Sequence, residues 1–420
     1  MNKRLSASYI GPSGLPTRVN DVAWCPDSLR ARAWSEWRER GLPTRGVEDY
    51  LYLDWRRLNS VSDADNPQDM VVEDATEISG SVTLRNGTTT LRAGQGCQVM
   101  SLDDAEPEFQ SEIAARLERL VESSDNGLDL LRVSLLSNAV LIDVAAETRA
   151  DCELHLELDG NNSIFAPLIV TRVGPRGTLT LRDKTQGSDE ATSLALPLSL
   201  MSVGESATLR HVHLSGGSAG RHCMKLQQAE IASNATYDGF VLATSAALCR
   251  EAHIMSLQGR GASGGLHGLY LAQKGAQSDI WCRIEHMMPD TTSRATFKGI
   301  VAEHGEATFN GYVYVERDAQ KTDSALYNKN LLLSKRARIN TRPQLEIYAD
   351  DVKCAHGSTV GQLDEKQLFY LTARGLPPAE ARAMLIDAFG RDVLDDCPVE
   401  DMRESLEGAI SSTIASMVES

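Results

Sequence analysis

The chain has 420 residues, and 42 Lys plus Arg against 58 Asp plus Glu give a net charge of −16 and a pI near 5.1. That balance excludes the broad basic surface that nucleic-acid or anionic-membrane binding requires, and no run of about 18 apolar residues is present to predict a membrane span. An apolar share of 42% with 24% charged residues predicts a packed core rather than disorder.

The first residues, Met1 to Ser6, carry two basic side chains with no apolar stretch behind them, so no secretory leader is predicted. Eight cysteines are scattered without a C-x-x-C pair, which predicts neither a disulfide framework nor a zinc ribbon. Together these features predict a cytoplasmic protein. Four of the five tryptophans (Trp24, Trp34, Trp37 and Trp55) fall in the first 55 residues and mark a separate N-terminal segment. Asp27 to Arg40 reads as a helix with Asp27 as N-cap and Gly41 as stop. Asn59 to Asp69, with Pro67, reads as a linker. Val82 to Leu91 reads as a β-hairpin, because Asn86-Gly87 supplies the two positive φ angles of a tight primed turn. Pro107 to Glu122 reads as a helix with Ile113, Leu117, Leu120 and Val121 on one side.

From about Val140 to Val360 helical periodicity disappears, and short apolar strands alternate with small-residue turns. Pro167 to Leu181 resembles Leu196 to Arg210, at a spacing of 29 residues, and Gly299 to Val313 resembles Asn330 to Gln344, at a spacing of 31. The middle, from about 224 to 290, follows this register poorly. A repeat of this length built only of strands predicts a mainly β fold, a β-helix whose coils stack and bury a continuous inner face. Small residues such as Ala307, Gly311 and Ala337 suit a narrow interior. A β-sandwich is the rival, but it does not require a register near 30 residues.

Beyond Gly361 helices return: Asp364 to Arg374 with an Asp364/Gln367 capping pattern, Ala379 to Phe389 opened by Pro377-Pro378 and closed by Gly390, and Asp401 to Val418. The last carries a stripe of Met402, Leu406, Ile410, Ile414 and Met417, which must pack on a neighbouring helix, cap the coil stack or meet another protein. The predicted organisation is an N-terminal helical and hairpin domain (1–135), a β-helix core (136–361) and a C-terminal helical domain (362–420).

Several motifs bear on chemistry. Gly259-Arg-Gly-Ala-Ser-Gly264 fits G-x-G-x-x-G, but a strand-like run follows where a dinucleotide site needs a helix, so it reads as a glycine-rich turn. No P-loop pattern occurs. His211 and His213, with His222 and Cys223 nearby, are the densest group of candidate metal ligands; an outward polar ladder is the favoured reading and a metal site the rival. Cys354 and His356 share one face of a strand, about 7 Å apart, and are ligand types suited to iron or zinc. Asp350-Asp351 reads as a solvated turn.

The run Arg342 to Gly375 contains P-x-L-E-I-x-x-x-D-V-x-C-x-H-G, from Pro343 to Gly357. It closely resembles the signature of the SufB/SufD family of iron–sulfur cluster assembly proteins, in the form of its SufD branch; the SufB branch has glutamate at the position of His356. Gly41-Leu-Pro-Thr-Arg45 with Glu48-Asp49-Tyr50 resembles the family's N-terminal segment, with Tyr50 in place of tryptophan. The resemblance runs from about residue 20 to 395. It implies a right-handed parallel β-helix between helical regions. It also implies pairing with a SufB-like subunit through the β-helix ends, and docking of a SufC-like ATPase on the C-terminal helices, where Leu368, Phe369, Tyr370, Leu385 and Phe389 are the candidate contacts. It further implies that His356, and less securely Cys354, lies where a nascent cluster forms, with Thr322 at the position of a SufB cysteine.

The expected role is therefore a non-catalytic scaffold subunit with no permanent cofactor, sharing transient iron or an iron–sulfur cluster with its SufB-like partner. A homodimer is the alternative pairing for the isolated chain. The rival functions are a β-helix carbohydrate-active enzyme, which would need clustered acids and sugar-stacking aromatics against an aromatic content of 5%, and a stand-alone metal binder using His211, His213, His222 and Cys223.

Overall fold

A computed structural model describes residues 24–43, 46–60, 70–73, 79–85, 88–124, 126–158, 163–187, 193–216, 221–245 and 247–418. Successive strand pairs, from Ala139–Val144 with Arg149–Glu157 to Arg338–Ile347 with Lys353–Gly361, wind into a parallel β-helix. Each coil gives one strand to each of two sheets, and each strand pairs with its equivalent one coil away. Leu168 lies beside Leu198, Leu198 beside Leu226, Leu248 beside Gln277 and Gln277 beside Glu306.

The coil length is close to the sequence repeat, with two corrections. Gly299 does pair with Asn330. The earlier repeat is offset by one residue from the expectation: Val173 pairs with Val203, so Pro167 matches Pro197 rather than Leu196. A one-residue slip exchanges the inward and outward faces of a strand. The second correction concerns the middle, which keeps the register in full, with Thr236 beside Ser263 and Ser263 beside Thr292. Alternation is hidden there because many outward positions are covered too; in Leu248–Leu257 nine of ten residues are buried.

The interior is narrow. Ala307, Phe309, Val313 and Val315 alternate into one continuous core. A Cβ on Gly311 would lie 2.8 Å from Phe309 Cε1 and from Leu326 Cδ2, so only glycine fits between the two sheets there. The motif at Gly259 is a coil corner: Gly261 has φ +72° and the strand Ser263–Ala272 follows, with no helix to receive a phosphate.

Helices cover the two sheets on opposite outer faces. Helices α1 (Asp27–Arg40), α2 (Pro107–Ser123) and α3 (Gly127–Ser134) share a core with Leu168, Leu198, Leu226 and Leu248 on one sheet. Asp27 is the first helical residue of α1 rather than its cap, since Pro26 occupies that place; Gly41 ends the helix at φ 66° as expected. Asn126 caps α3 by accepting from the Leu128 and Asp129 amides. The strand Gly80–Arg85 pairs antiparallel with Thr88–Arg92, giving the hairpin, although Asn86-Gly87 lies outside the described residues. So does most of the expected linker.

At the other end of the chain are α4 (Glu365–Ala373), α5 (Pro378–Arg391) and α6 (Arg403–Val418). The stripe of Leu406, Ile410, Ile414 and Met417 packs with Ile386 against Phe240, Leu242, Leu269 and Ile300. It therefore covers the flank of the second sheet and leaves the end of the coil stack uncovered. Gly390 does not stop α5, which runs one residue further; its missing Cβ would sit 3.4 Å from Ile410 and Ile414, so it is the close approach between α5 and α6.

Candidate functional site

Among the described residues, the last coil ends the solenoid as two open strand edges. Arg338–Ile347 and Lys353–Gly361 are the terminal strands of their sheets, and no residue in either is fully buried. An unpaired parallel edge presents backbone donors and acceptors that a further strand could satisfy. Tyr348 and Val360 are among the exposed large apolar residues at this end, at 52% and 46%.

Cys354 and His356 both lie on Lys353–Gly361, as the sequence predicts. Cys354 pairs with Ser324 and His356 with Leu326. Leu326 belongs to the inner core, so the register continues the inward-facing columns into the opening. His356 is exposed, whereas Cys354 is half-buried against the inner core. Burial raises the Cys354 thiol pKa, partly offset by the backbone of Ser324. The other seven cysteines are free and buried. Thr322 is buried; its carbonyl accepts from the Lys353 amide, and the register places it roughly 13 Å along the strand from His356.

The N-terminal signature reaches the same coil. Arg342 forms ion pairs with Glu48 and, at 3.1 Å, with Asp49. Tyr50 stacks on the buried guanidinium of Arg250, 4.3 Å from its ring centroid, and Arg250 pairs with Asp279 at 2.5 Å. Gln277 accepts from the Asp54 amide and donates to the Tyr52 carbonyl. Residues 48–54 thus form a strap along one sheet from Arg250 to the last coil. The sequence carries both halves of this strap but no sign that they meet.

The histidine group lies elsewhere, midway along the solenoid. His211 and His213 point inward, not outward as expected, and are 2% and 0% exposed. They converge on Asp183 at 3.4 and 2.9 Å, and His213 reaches Glu251 at 3.3 Å. Lys225 pairs with the same Asp183 oxygen and lies 3.1 Å from His213 Nδ1. Its ammonium supplies the cation that this carboxylate needs. Burial alone would raise Asp183, but the charges of His213 and Lys225 and hydrogen bonds from both histidines hold it well below the usual range. Glu251 is held down to about 2 against the same desolvation, chiefly by His213. His222 faces the other way, toward Arg57, and Cys223 faces the interior beside Cys249. Among the described residues no three His, Cys, Asp or Glu side chains are arranged to hold a metal ion.

The candidate docking side chains divide. Helix α4 has no buried residue; Phe369 is 73% and Tyr370 58% exposed, with Leu368 intermediate. Phe389 is engaged within the chain instead, under Lys298 Nζ at 4.7 Å from its ring centroid and against the C-terminal core. Leu385 on α5 is half-buried.

Residues 156–389 match the family described as the SUF system FeS cluster assembly SufBD core domain. The chain belongs to this family. Among SufBD relatives it is similar to the iron–sulfur cluster assembly protein SufD of Escherichia coli, 33% identical over 214 residues, covering 51% of each chain. It is also similar to the chloroplastic protein ABCI7 of Arabidopsis thaliana, 30% identical over 251 residues, covering 59% of this chain and 53% of the other. The SufB protein of Bacillus subtilis is 31% identical over 144 residues, covering 34% of this chain and 31% of that one. The chain thus spans about half or less of the length of these curated relatives. SufBD membership supports a role in iron–sulfur cluster assembly. No helix among the described residues is long and apolar enough to cross a membrane.

Proposed function

We propose that this chain is a non-catalytic scaffold subunit in iron–sulfur cluster assembly. It pairs through its open last coil with a SufB-like subunit and binds a SufC-like ATPase through α4. The single observation that carries this reading is the uncovered end of the solenoid, with His356 exposed on its terminal strand and Cys354 behind it. The cluster is cargo, built where His356 meets the partner, with ligands shared between the chains. His356 offers an imidazole nitrogen and Cys354 a thiolate once deprotonated, both suited to iron. The position of Thr322 lacks a thiolate, so the partner supplies one.

The test is co-expression with a SufB-like and a SufC-like chain. His356→Ala is expected to preserve the complex and lose cluster formation on it; unchanged cluster yield would remove His356 from the site. Tyr348→Asp, at the open end, is expected to weaken pairing with the SufB-like chain. Phe369→Asp is expected to release the ATPase while leaving that pairing intact. Point changes are the sound choice here, because deleting the chain after Val360 would also strip α5 and α6 from the sheet they cover.

A further inference from the structure

A buried polar network crosses the bore just behind the open end. Tyr270, Gly299 and Asn330 stand in one register column on successive strands of the same sheet. A Cβ on Gly299 would collide with both the Tyr270 ring and Asn330 Oδ1. Its absence lets the Tyr270 hydroxyl reach past one coil and donate to Asn330 Oδ1. Tyr270, Asn328 and Asn330 are 0%, 1% and 3% exposed. Thr341 and Ser358, one on each terminal strand, are half-buried.

Every polar atom of the two asparagine side chains is engaged. Asn328 Nδ2 donates to the Tyr270 hydroxyl oxygen at 3.0 Å and to the Phe297 carbonyl at 3.2 Å. Asn330 Nδ2 donates to Asn328 Oδ1 at 2.6 Å and to the Thr359 carbonyl at 3.1 Å. Thr341 Oγ1 donates to Asn328 Oδ1 at 2.8 Å. That donation uses the one Thr341 proton, so Ser358 Oγ, 2.7 Å away, donates to Thr341. The network thus begins at Tyr270, three coils before the last, and ends on both terminal strands. A buried network whose members are all satisfied holds one arrangement strongly.

We infer that Asn328, Asn330 and Thr341 are positioning residues for the open end: they fasten the terminal strand Lys353–Gly361, and His356 with it, before any partner arrives. This rests on the reading of that end as the pairing and assembly site, and it adds that the edge is prebuilt there. Lys353–Gly361 has a backbone partner on one side only, so by itself it would fray. The bonds to Ser358 Oγ and the Thr359 carbonyl hold it from inside the bore. His356 shares a strand face with Ser358, about 7 Å along the strand. An arriving strand therefore meets ordered backbone groups, and the cost of ordering them is not charged to binding.

Hydrogen exchange on the full chain, read by mass spectrometry, tests the fastening. Thr341→Val keeps the shape of the side chain and removes its hydroxyl, whereas Thr341→Ser keeps the hydroxyl. Exchange in Lys353–Gly361 is expected to be about fivefold faster in Thr341→Val, the effect of one hydrogen bond on a local opening. It should return to the wild-type rate in Thr341→Ser, and Leu168–Val173 should be unchanged in both. Equal exchange of Lys353–Gly361 in the wild type and both variants would overturn the inference, as would equal loosening of Leu168–Val173. Should Thr341→Val fail to fold, Ser358→Ala cuts the same bond from the half-buried side. The second arm is the rate of association with a SufB-like chain, expected to fall in Thr341→Val and recover in Thr341→Ser. A loosened strand with an unchanged association rate would overturn the positioning role. A wild type that does not pair with the SufB-like chain would sink the pairing reading, and the exchange arm would still decide whether the strand is fastened.

Discussion

Two of the polar regions inside the apolar bore of the solenoid are built differently. Midway along, Asp183, His213, Lys225 and Glu251 form a knot of paired groups beside His211, with no opening to solvent. In the two coils before the last, His286, Ser293 and Ser324 form a line of neutral groups leading toward the open end. Charges buried in low dielectric are tolerated only when paired and hydrogen-bonded, and they hold one arrangement strongly. Neutral hydroxyls cost less to bury and can pass direction along a chain. The knot is thus fitted to fixing one arrangement of the fold, and the line of hydroxyls to satisfying buried polar groups at low cost.

The largest expected effect comes from cutting the knot. Lys225→Met leaves Asp183 without its ammonium, and unfolding measurements should show a loss of about 3–5 kcal/mol. Near-wild-type stability would mean that the knot contributes little. Arg250→Ala should come next, at a similar or smaller loss, because it leaves Asp279 unpaired and frees Tyr50. If stability falls but residues 48–54 remain protected from proteolysis, Arg250 does not hold the strap.

The pH dependence has a definite sign. Burial lowers His211 to about 4, His253 to about 3 and His286 to about 4. Each folded value lies below the unfolded value near 6.5, so each contribution is complete above that value. It is lost as pH falls toward the folded value, by up to about 1.4 kcal/mol per pH unit for each group. His213 is shifted upward by Asp183 against its own desolvation, and its contribution runs oppositely, lost as pH rises through its folded value. His222, lowered to about 4, adds to the three lowered imidazoles, while Asp279, raised by burial to about 6, runs oppositely in the same window; the four lowered imidazoles outweigh both opposing groups, so unfolding between pH 6.5 and 4 should become easier. A flat profile over that window would contradict neutral, buried imidazoles.

The smallest effect is expected at the open end. His356→Ala should change unfolding free energy by less than about 0.5 kcal/mol, as for other exposed positions. A large loss would make His356 part of the fold and weaken its case as a functional group.

Much of the architecture was legible in the sequence because a solenoid writes its coil length into the chain. The Gly299 and Asn330 repeats gave the register of the later coils directly. The coils from about 224 to 290 were not legible, since helices cover their outer faces and erase the polar–apolar alternation on which the reading depends. Cys354 and His356 were found on one strand, where spacing along the chain decides which side chains share a face. The knot and the line of hydroxyls were missed because their members come from successive coils. His213, Asp183 and Glu251 meet across strands 30 and 38 positions apart in sequence, and no local spacing reveals that. The same blindness made His211 and His213 look like an outward pair when they are inward anchors.

The two termini of the solenoid have different polarity. At the beginning, Cys97–Ser101 runs antiparallel to Ala139–Val144, and Thr88–Arg92 antiparallel to Gly80–Arg85, so this edge does not repeat the geometry of a coil. At the finish the parallel register simply stops. A head-to-tail polymer needs two unlike ends that fit one another, and among the described residues only one end is in coil register. Strand edges added at that end alone would close a pair of chains rather than extend a filament, because the other end offers no matching parallel edge.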